Sequence, residues 1–536
     1  MDSPQTFVTD RRMTQSRQAD ASAASNRMNR RLFAATIASA LALAFAAPAS
    51  AQSPDRRPSS PAENPAEARH LPGDVTTDQT LELPGRTLHF KAIAGFIPIN
   101  DATDGKPLAE VAYVAYVRAD QDAANRPLTF VFNGGPGAAT GYMQLGALGP
   151  WRLPLDGITP STPPVTVPNA ETWLDFTDLV FVDPVGTGYS RFISTSDDVR
   201  KRFWSVEGDI DYLATAVRKW VEKAGRQISP KFIAGESYGG FRAPKLARKL
   251  MSDGVGISGL VMVSPVLDFG WRGNGRHMPN AWIARLPSMA AAAREQNAPF
   301  DREALREVER YAAGEYLQDL MRGERDAAAI DRMTPRVAAY TRLDPALVRR
   351  LAARIDTRTF LRELNRDRGV VGSNYDGTVT ALDPNPRAAE SRSDDAVLNV
   401  VTAPLSTAMT DLYNRVLKWR VEDPYRLLNN QVSSRWDWDG GRDSQEIVSD
   451  LRNALALDPR LRVLITHGAS DLVTPYFEDQ LILDQMPAFA TPDRLKLAVY
   501  GGGHMYYMRD ASRRALRDDA ERLYRAVAQG AEKPRG

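Results

Sequence analysis

The most regular feature of the chain is a series of short apolar runs that stop at glycine or polar turns: 128–132, 179–182, 231–234, 260–266, 462–466 and 496–499. None alternates strictly between apolar and polar positions. Strands of this kind are buried on both faces, as in a parallel sheet. Segments with helical spacing lie between them, Val206–Lys223 and 241–251 among them. Strand–helix alternation predicts an α/β architecture, a mostly parallel central sheet flanked by helices. Ahead of these runs, 86–99 and 109–118 gather β-formers around a polar Asp-Gly turn and predict an antiparallel hairpin.

The pattern changes between about 271 and 440, where Arg, Ala, Leu and acids dominate at helical spacing, as in "FDREALREVERYAAGEYLQDLMRG". The α/β pattern returns at "DLRNALALDPRLRVLITHG". This divides the chain into a core of two parts, 86–270 and 441–536, with a helical insertion over 271–440 read as a cap. Residues 52–85, rich in Pro, Ala and charge, read as a flexible lead. On this reading the sheet loops alone complete the site. A protein lacking the insertion would then still react with a small activated ester.

The N-terminal 51 residues carry a different signal. Arg27, Arg30 and Arg31 precede an apolar run over 32–47, and Ala49-Ser50-Ala51 supplies small residues before Gln52. A basic start, a short apolar stretch and an A-x-A site read as a secretory signal peptide. The run is shorter than the ~20 apolar residues that a membrane span needs. Export to the periplasm or the medium is therefore expected, with no membrane attachment after cleavage. Of 68 Lys and Arg, six lie before residue 52, and of 66 Asp and Glu, three. The remainder balances 62 bases against 63 acids, which gives no electrostatic reason to expect nucleic acid. There are no cysteines, so disulfides, thiolate catalysis and Cys-ligated metals are excluded. The five histidines, His70, His89, His277, His467 and His504, show no H-x-x-x-H spacing. Neither a metal nor a cofactor is expected.

Gly235-Glu236-Ser237-Tyr238-Gly239 fits the G-x-S-x-G pattern of a serine nucleophile. The bare motif also fits a helix-capping serine. Its setting decides: "PKFIA" before it reads as a strand and "GGFRAPKLARKLM" after it as a helix. A sharp turn between them exposes Ser237 and aims the helix N-terminus at the reaction centre. The serine needs a base, and in this fold acid and histidine follow it in the chain. His504 sits in the glycine-rich turn "AVYGGGHMYY"; His467, at a strand end, is the second candidate. Asp471, in "GASDLVTPY", is placed to orient the base, although it also fits a helix cap. The oxyanion needs backbone donors: Tyr238, after the nucleophile, and a glycine-rich loop such as "FVFNGGPGAATG" (130–141).

Together "NGGPG" (133–137), "LGP" (148–150), "FVDPVGTGYS" (181–190), "GESYGG" (235–240), "GASDLVTP" (468–475) and "GGHM" (502–505) resemble the serine carboxypeptidase family, in family order. The resemblance implies an α/β-hydrolase fold and removal of single residues from peptides with a free C-terminus. It implies a Ser237–Asp471–His504 triad, with Gly135 and Tyr238 as oxyanion donors. Asn133, Gly134 and Glu236 would grip the substrate carboxylate. Two positions depart from the family. Ala138 stands where a paired cysteine is common, and Ala147 where a second glutamate often shares a proton with the first. Gln144 and Tyr142 are candidates to stand in for that second glutamate. An aminopeptidase or esterase of the same fold, and an inactive exported binding module, are the competing readings.

Overall fold

The short apolar runs form the middle of a ten-stranded sheet. The computed structural model describes residues 70–532 except 274, 297, 390, 391 and 490. The N-terminal extension and signal segment lie outside the described residues. The strands are β1 (Val75–Leu83), β2 (Arg86–Asn100), β3 (Pro107–Arg118), β4 (Leu128–Phe132), β5 (Asp178–Val182), β6 (Arg191–Phe192), β7 (Lys231–Glu236), β8 (Gly259–Val263), β9 (Arg462–Gly468) and β10 (Leu495–Tyr500). They line up as β1-β2-β3-β5-β4-β7-β8-β9-β10, with β6 beside β3. The first three strands and β5 pair antiparallel; from β5 to β10 every neighbour is parallel. All residues of β4, β5, β7 and β8 are buried, as non-alternating runs require.

One expectation fails at the N-terminal edge. Residues 75–83 lie in the supposed flexible lead, yet they form β1, paired residue by residue with β2 from Val75↔Ala94 to Leu83↔Arg86. The turn is a two-residue Pro84-Gly85 corner with Gly85 at φ 77, and burial of Leu81 and Leu83 holds the strand down. The composition of the lead is that of a linker; the alternation inside it is that of a half-buried strand.

Two apolar cores lie on opposite faces of the sheet. Helix α1 (Val206–Lys223) packs against α2 (Tyr238–Ser252), the helix that follows the nucleophile motif. A third core lies within the inserted block and includes Ala469, Leu472, Tyr476 and Phe477 of the C-terminal part. The block holds helices including α3 (Asn280–Glu295), α4 (Arg302–Tyr311) and α5 (Ala327–Thr341), together with a small antiparallel hairpin, Val370–Gly372 with Thr380–Leu382.

A buried ion pair ties α1 to α2. The Arg242 guanidinium donates to Asp209 Oδ2 (2.6 Å) and to the Asn133 carbonyl (2.8 Å), and both charged groups are buried. Removing one partner leaves an uncompensated buried charge, which costs about 3–5 kcal/mol. Asp209→Ala should lower unfolding stability by that amount in urea titration, and it should disorder the glycine loop that Arg242 holds.

Candidate active site

The nucleophile motif makes a sharp strand-to-helix turn. Ser237 follows β7 with φ 57 and ψ −122 and sits at the N-cap of α2. A non-glycine residue in this region carries roughly 1–3 kcal/mol of backbone strain. The Ser237 amide donates to the Val263 carbonyl (2.9 Å) and helps to hold the turn. The flanking glycines have a steric reason. A Cβ on Gly235 would sit 2.1 Å from the Gly239 carbonyl oxygen, and one on Gly239 would sit 2.5 Å from that of Phe132. The helix therefore starts at Tyr238, three residues before the start predicted at 241.

The glycine loop lies directly over this turn. A Cβ on Gly134 would be 2.6 Å from the Tyr238 amide nitrogen and 2.9 Å from Ser237 Cβ. Gly135 and Gly137 have φ of 101 and 110, open only to glycine at low cost. The Tyr238 amide is the first of its helix and has no intrahelical carbonyl to bond. Arg242 holds the loop from one side. On the other side Asn429 donates its amide to the Gly137 carbonyl (2.8 Å), and Ala139 donates to that of Leu427 (2.9 Å). Ala138, in the cysteine-like position, bridges to Leu428 in the same ladder. Backbone hydrogen bonds thus fix this loop in a chain that has no cysteine.

Asp471 and His504 meet on the loops after β9 and β10. His504 Nδ1 lies 2.7 Å from Asp471 Oδ2, and both residues are buried. Asp471 Oδ1 accepts the amides of Val473 (2.8 Å) and Thr474 (2.9 Å), and Oδ2 also accepts the Thr474 hydroxyl (2.6 Å). These bonds hold the turn ahead of the next helix rather than cap it, so the helix-cap reading of Asp471 fails and the orienting role stands. The helix that follows, Tyr476–Leu483, is preceded by Pro475 at its cap. Burial depresses the His504 pKa, but the Asp471 charge and hydrogen bond, with Glu236 and Asp395, outweigh it, and the net shift is upward. The Ser264 hydroxyl, at the end of β8, donates to the His504 carbonyl (2.8 Å). His467 is placed differently: its Nε2 meets Asp479 Oδ2 (2.8 Å), and the ring is fully buried. It serves a separate buried hydrogen bond.

Glu236 is buried beside Ser237. Tyr507 donates its hydroxyl toward both carboxyl oxygens (3.0 Å each), and Asn133 Nδ2 donates to Oε2. Asn133 Oδ1 in turn accepts the Met143 amide (3.1 Å), which fixes the amide orientation. Burial pushes the Glu236 pKa up to about 7, against the opposing effects of His504, Tyr507 and Asn133. Ala147 lies buried in the turn Gln144–Leu148 and leaves Glu236 without a carboxyl partner there. Gln144 donates to the Tyr116 hydroxyl (2.8 Å), and the Tyr142 hydroxyl has no hydrogen-bond partner among the described residues. Neither hydrogen-bonds Glu236; Tyr507 does, with its ring against Gly146, and it steadies the anion where a second carboxyl would disfavour it. Sequence reasoning missed Tyr507 and Arg242. The only sequence signals were their positions next to "GGHM" and "GESYGG".

The strand order, nucleophile turn and loop placement are those of the α/β-hydrolase fold. Residues 84–268 match the family model described as serine carboxypeptidase. "Serine carboxypeptidase-like 36" of Arabidopsis thaliana is 27% identical over 222 residues, 39% of this chain and 43% of that protein. "Pheromone-processing carboxypeptidase KEX1" of Blastomyces gilchristii is 31% identical over 169 residues, 30% of this chain and 23% of that protein. The alignments thus span less than half the length of these relatives. The crystal structure of KEX1(delta)p, a prohormone-processing carboxypeptidase from Saccharomyces cerevisiae, covers 81% of this chain and 91% of its own at a TM-score of 0.52 and 16% identity, a likeness of fold.

Proposed function

We propose that the protein is a serine-type carboxypeptidase that hydrolyses the C-terminal peptide bond through an acyl-enzyme on Ser237. His504 takes the serine proton and returns it to the leaving amine, Asp471 holds the ring, and the Gly135 and Tyr238 amides receive the oxyanion. Asn133, Gly134 and Glu236 bind the substrate carboxylate. The observation that carries this reading over an aminopeptidase or esterase is Glu236. A buried acid that keeps its proton to near neutral pH can donate to a carboxylate. An enzyme acting on N-termini or esters has no use for such a donor. The partners are peptides with a free C-terminus; nucleic acid and membrane are not among them. The N-terminal segment is the export signal, and no described helix is long and apolar enough to cross a membrane. The test is hydrolysis of an N-blocked dipeptide acid against its C-terminal amide. The acid should be preferred by at least about 10-fold, the discrimination that one charge-assisted hydrogen bond supplies. Equal rates would favour the esterase reading.

The block 271–440 caps this site and contributes to side-chain selection. A cavity of about 790 Å³ opens beside His504, with an apolar part formed by Leu155, Ile158, Val397, Val401 and Met505 and a charged rim that includes Arg152, Asp156, Arg509 and Asp510. Tyr375 meets the His504 ring edge to face, with centroids 5.2 Å apart. The cavity is larger than a single side chain, and its apolar part can take a large side chain next to the scissile bond. Burying such a side chain is worth about 2 kcal/mol. Dipeptide acids with Leu or Phe should therefore exceed those with Gly in kcat/KM by roughly 30-fold, measured across a substrate panel.

A further inference from the structure

The loop of the small hairpin in the inserted block, 373–379, is threaded between the two loops that carry the acid and the base. It contacts the acid loop in three places. Leu472 donates its amide to the Asn374 carbonyl (3.1 Å), Gly377 donates to the Ser470 carbonyl (3.0 Å), and the Ser470 hydroxyl donates to Asp376 Oδ1 (2.7 Å). It contacts the base loop in two. His504 donates its amide to the Tyr375 carbonyl (2.5 Å), and Gly503 donates to Asp376 Oδ2 (3.0 Å). The approach is close: a Cβ on Gly503 would be 1.9 Å from the Tyr375 carbonyl oxygen and 2.4 Å from Asp376 Cα.

Asp376 is the centre of this contact and is buried. Its Oδ1 also accepts the Thr378 amide (3.0 Å) and hydroxyl (2.6 Å), and its Oδ2 also accepts Arg509 Nη2 (3.0 Å). Arg509 is held in turn by Glu295 of α3 (2.6 Å). The two loops joined here follow different strands, and Asp471 lies one residue from Ser470 while His504 lies one from Gly503. Displacement of either by an ångström would break the 2.7 Å Asp471–His504 bond. The third apolar core reinforces the junction, because it combines Leu472 with side chains of the inserted helices.

We propose that Asp376 is a positioning residue for the Asp471–His504 pair, and that the loop 373–379 acts as a buckle without which the triad does not assemble. This rests on the triad reading given above. It reverses the expectation that the sheet loops alone make a working site: a protein lacking the insertion loses reactivity toward small esters as well as toward peptides.

The test compares wild type, Asp376→Asn and Asp376→Ala by fluorophosphonate labelling of Ser237 and by steady-state hydrolysis of a blocked dipeptide acid, with circular dichroism as the check on folding. Asp376→Ala should cut both the labelling rate and kcat by about 100-fold and leave KM within about 3-fold. Asp376→Asn, which keeps one acceptor oxygen, should recover about a tenth of the wild-type rate. Folded Asp376→Ala with wild-type kcat and labelling would overturn the proposal. If that variant does not fold, Asp376→Asn and Ser470→Ala decide: both with unchanged kcat would overturn it, and both with lowered kcat at unchanged KM would support it. Wild type that fails to label would refute the triad reading, an outcome separate from failure of the buckle.

Discussion

Ser237→Ala and His504→Ala will each lower kcat by about 10⁴–10⁶-fold, and the double variant will lose little more, because the two act as one unit. The geometry gives the reason. Ser237 is unreactive while protonated, and His504 is the histidine whose ring is bonded to the acid on the adjacent loop, 2.7 Å from Asp471. His467 makes the contrast. It is buried against Asp479 (2.8 Å), so truncating it leaves a buried acid unpaired. His467→Ala should lose about 3–5 kcal/mol of stability in urea titration. His467→Gln, which keeps a donor toward Asp479, should retain kcat within a few-fold. Steady-state kinetics on the folded fraction check both; a dead His467→Gln would mean that the base is misassigned.

The second large effect is in the pH dependence. Glu236 must be protonated to donate to a substrate carboxylate, and its pKa is raised to about 7. As pH rises through 7 it loses the proton, and its charge repels the substrate. KM for a blocked dipeptide acid should climb about 10-fold per pH unit above that point, while KM for the amide should stay flat. The acid limb belongs to His504, which must be neutral and whose pKa is raised. The two groups are linked, since each charge favours the other. Glu236→Gln removes an anion that raises His504, so the acid limb should move to lower pH while the alkaline rise in KM disappears. Tyr507→Phe removes the hydroxyl that steadies the Glu236 anion, so the KM rise should shift to higher pH. Full pH profiles of kcat and KM for the three enzymes decide. A Glu236→Gln profile as steep as wild type would show that Glu236 is not the carboxylate grip.

The sheet was legible because buried parallel strands leave uninterrupted apolar runs: 128–132 coincides with β4, and 462–466 and 496–499 fall inside β9 and β10. The run 260–266 overshoots, because Ser264 turns out of the strand at φ 45 ahead of Pro265. Gly239 and Gly240 lie inside α2, where close packing on Phe132 and Asn133 and on Pro265, respectively, demands glycine. The hairpin 370–382 was hidden among helices, although "VVGSNYDGTVTAL" has β-branched residues around an Asn–Asp–Gly turn. Ser237, Asp471 and His504 each sit in a short motif, and folding brings Asp471 and His504 together. Tyr507 and Asp376 could not be picked out from the sequence, since each acts on a partner far away in sequence, 271 residues for Tyr507–Glu236 and 94 for Asp376–Ser470. Only folding brings such pairs together.

The central claim is that the enzyme removes residues singly from a free C-terminus. It is tested most directly by incubating the protein with an unblocked decapeptide and following the products by mass spectrometry, with Ser237→Ala as control. The account predicts a ladder of peptides shortened one residue at a time from the C-terminus, absent with Ser237→Ala and absent when the peptide ends in an amide. Internal cleavage, loss of residues from the N-terminus, or an equal ladder from the amidated peptide would contradict it.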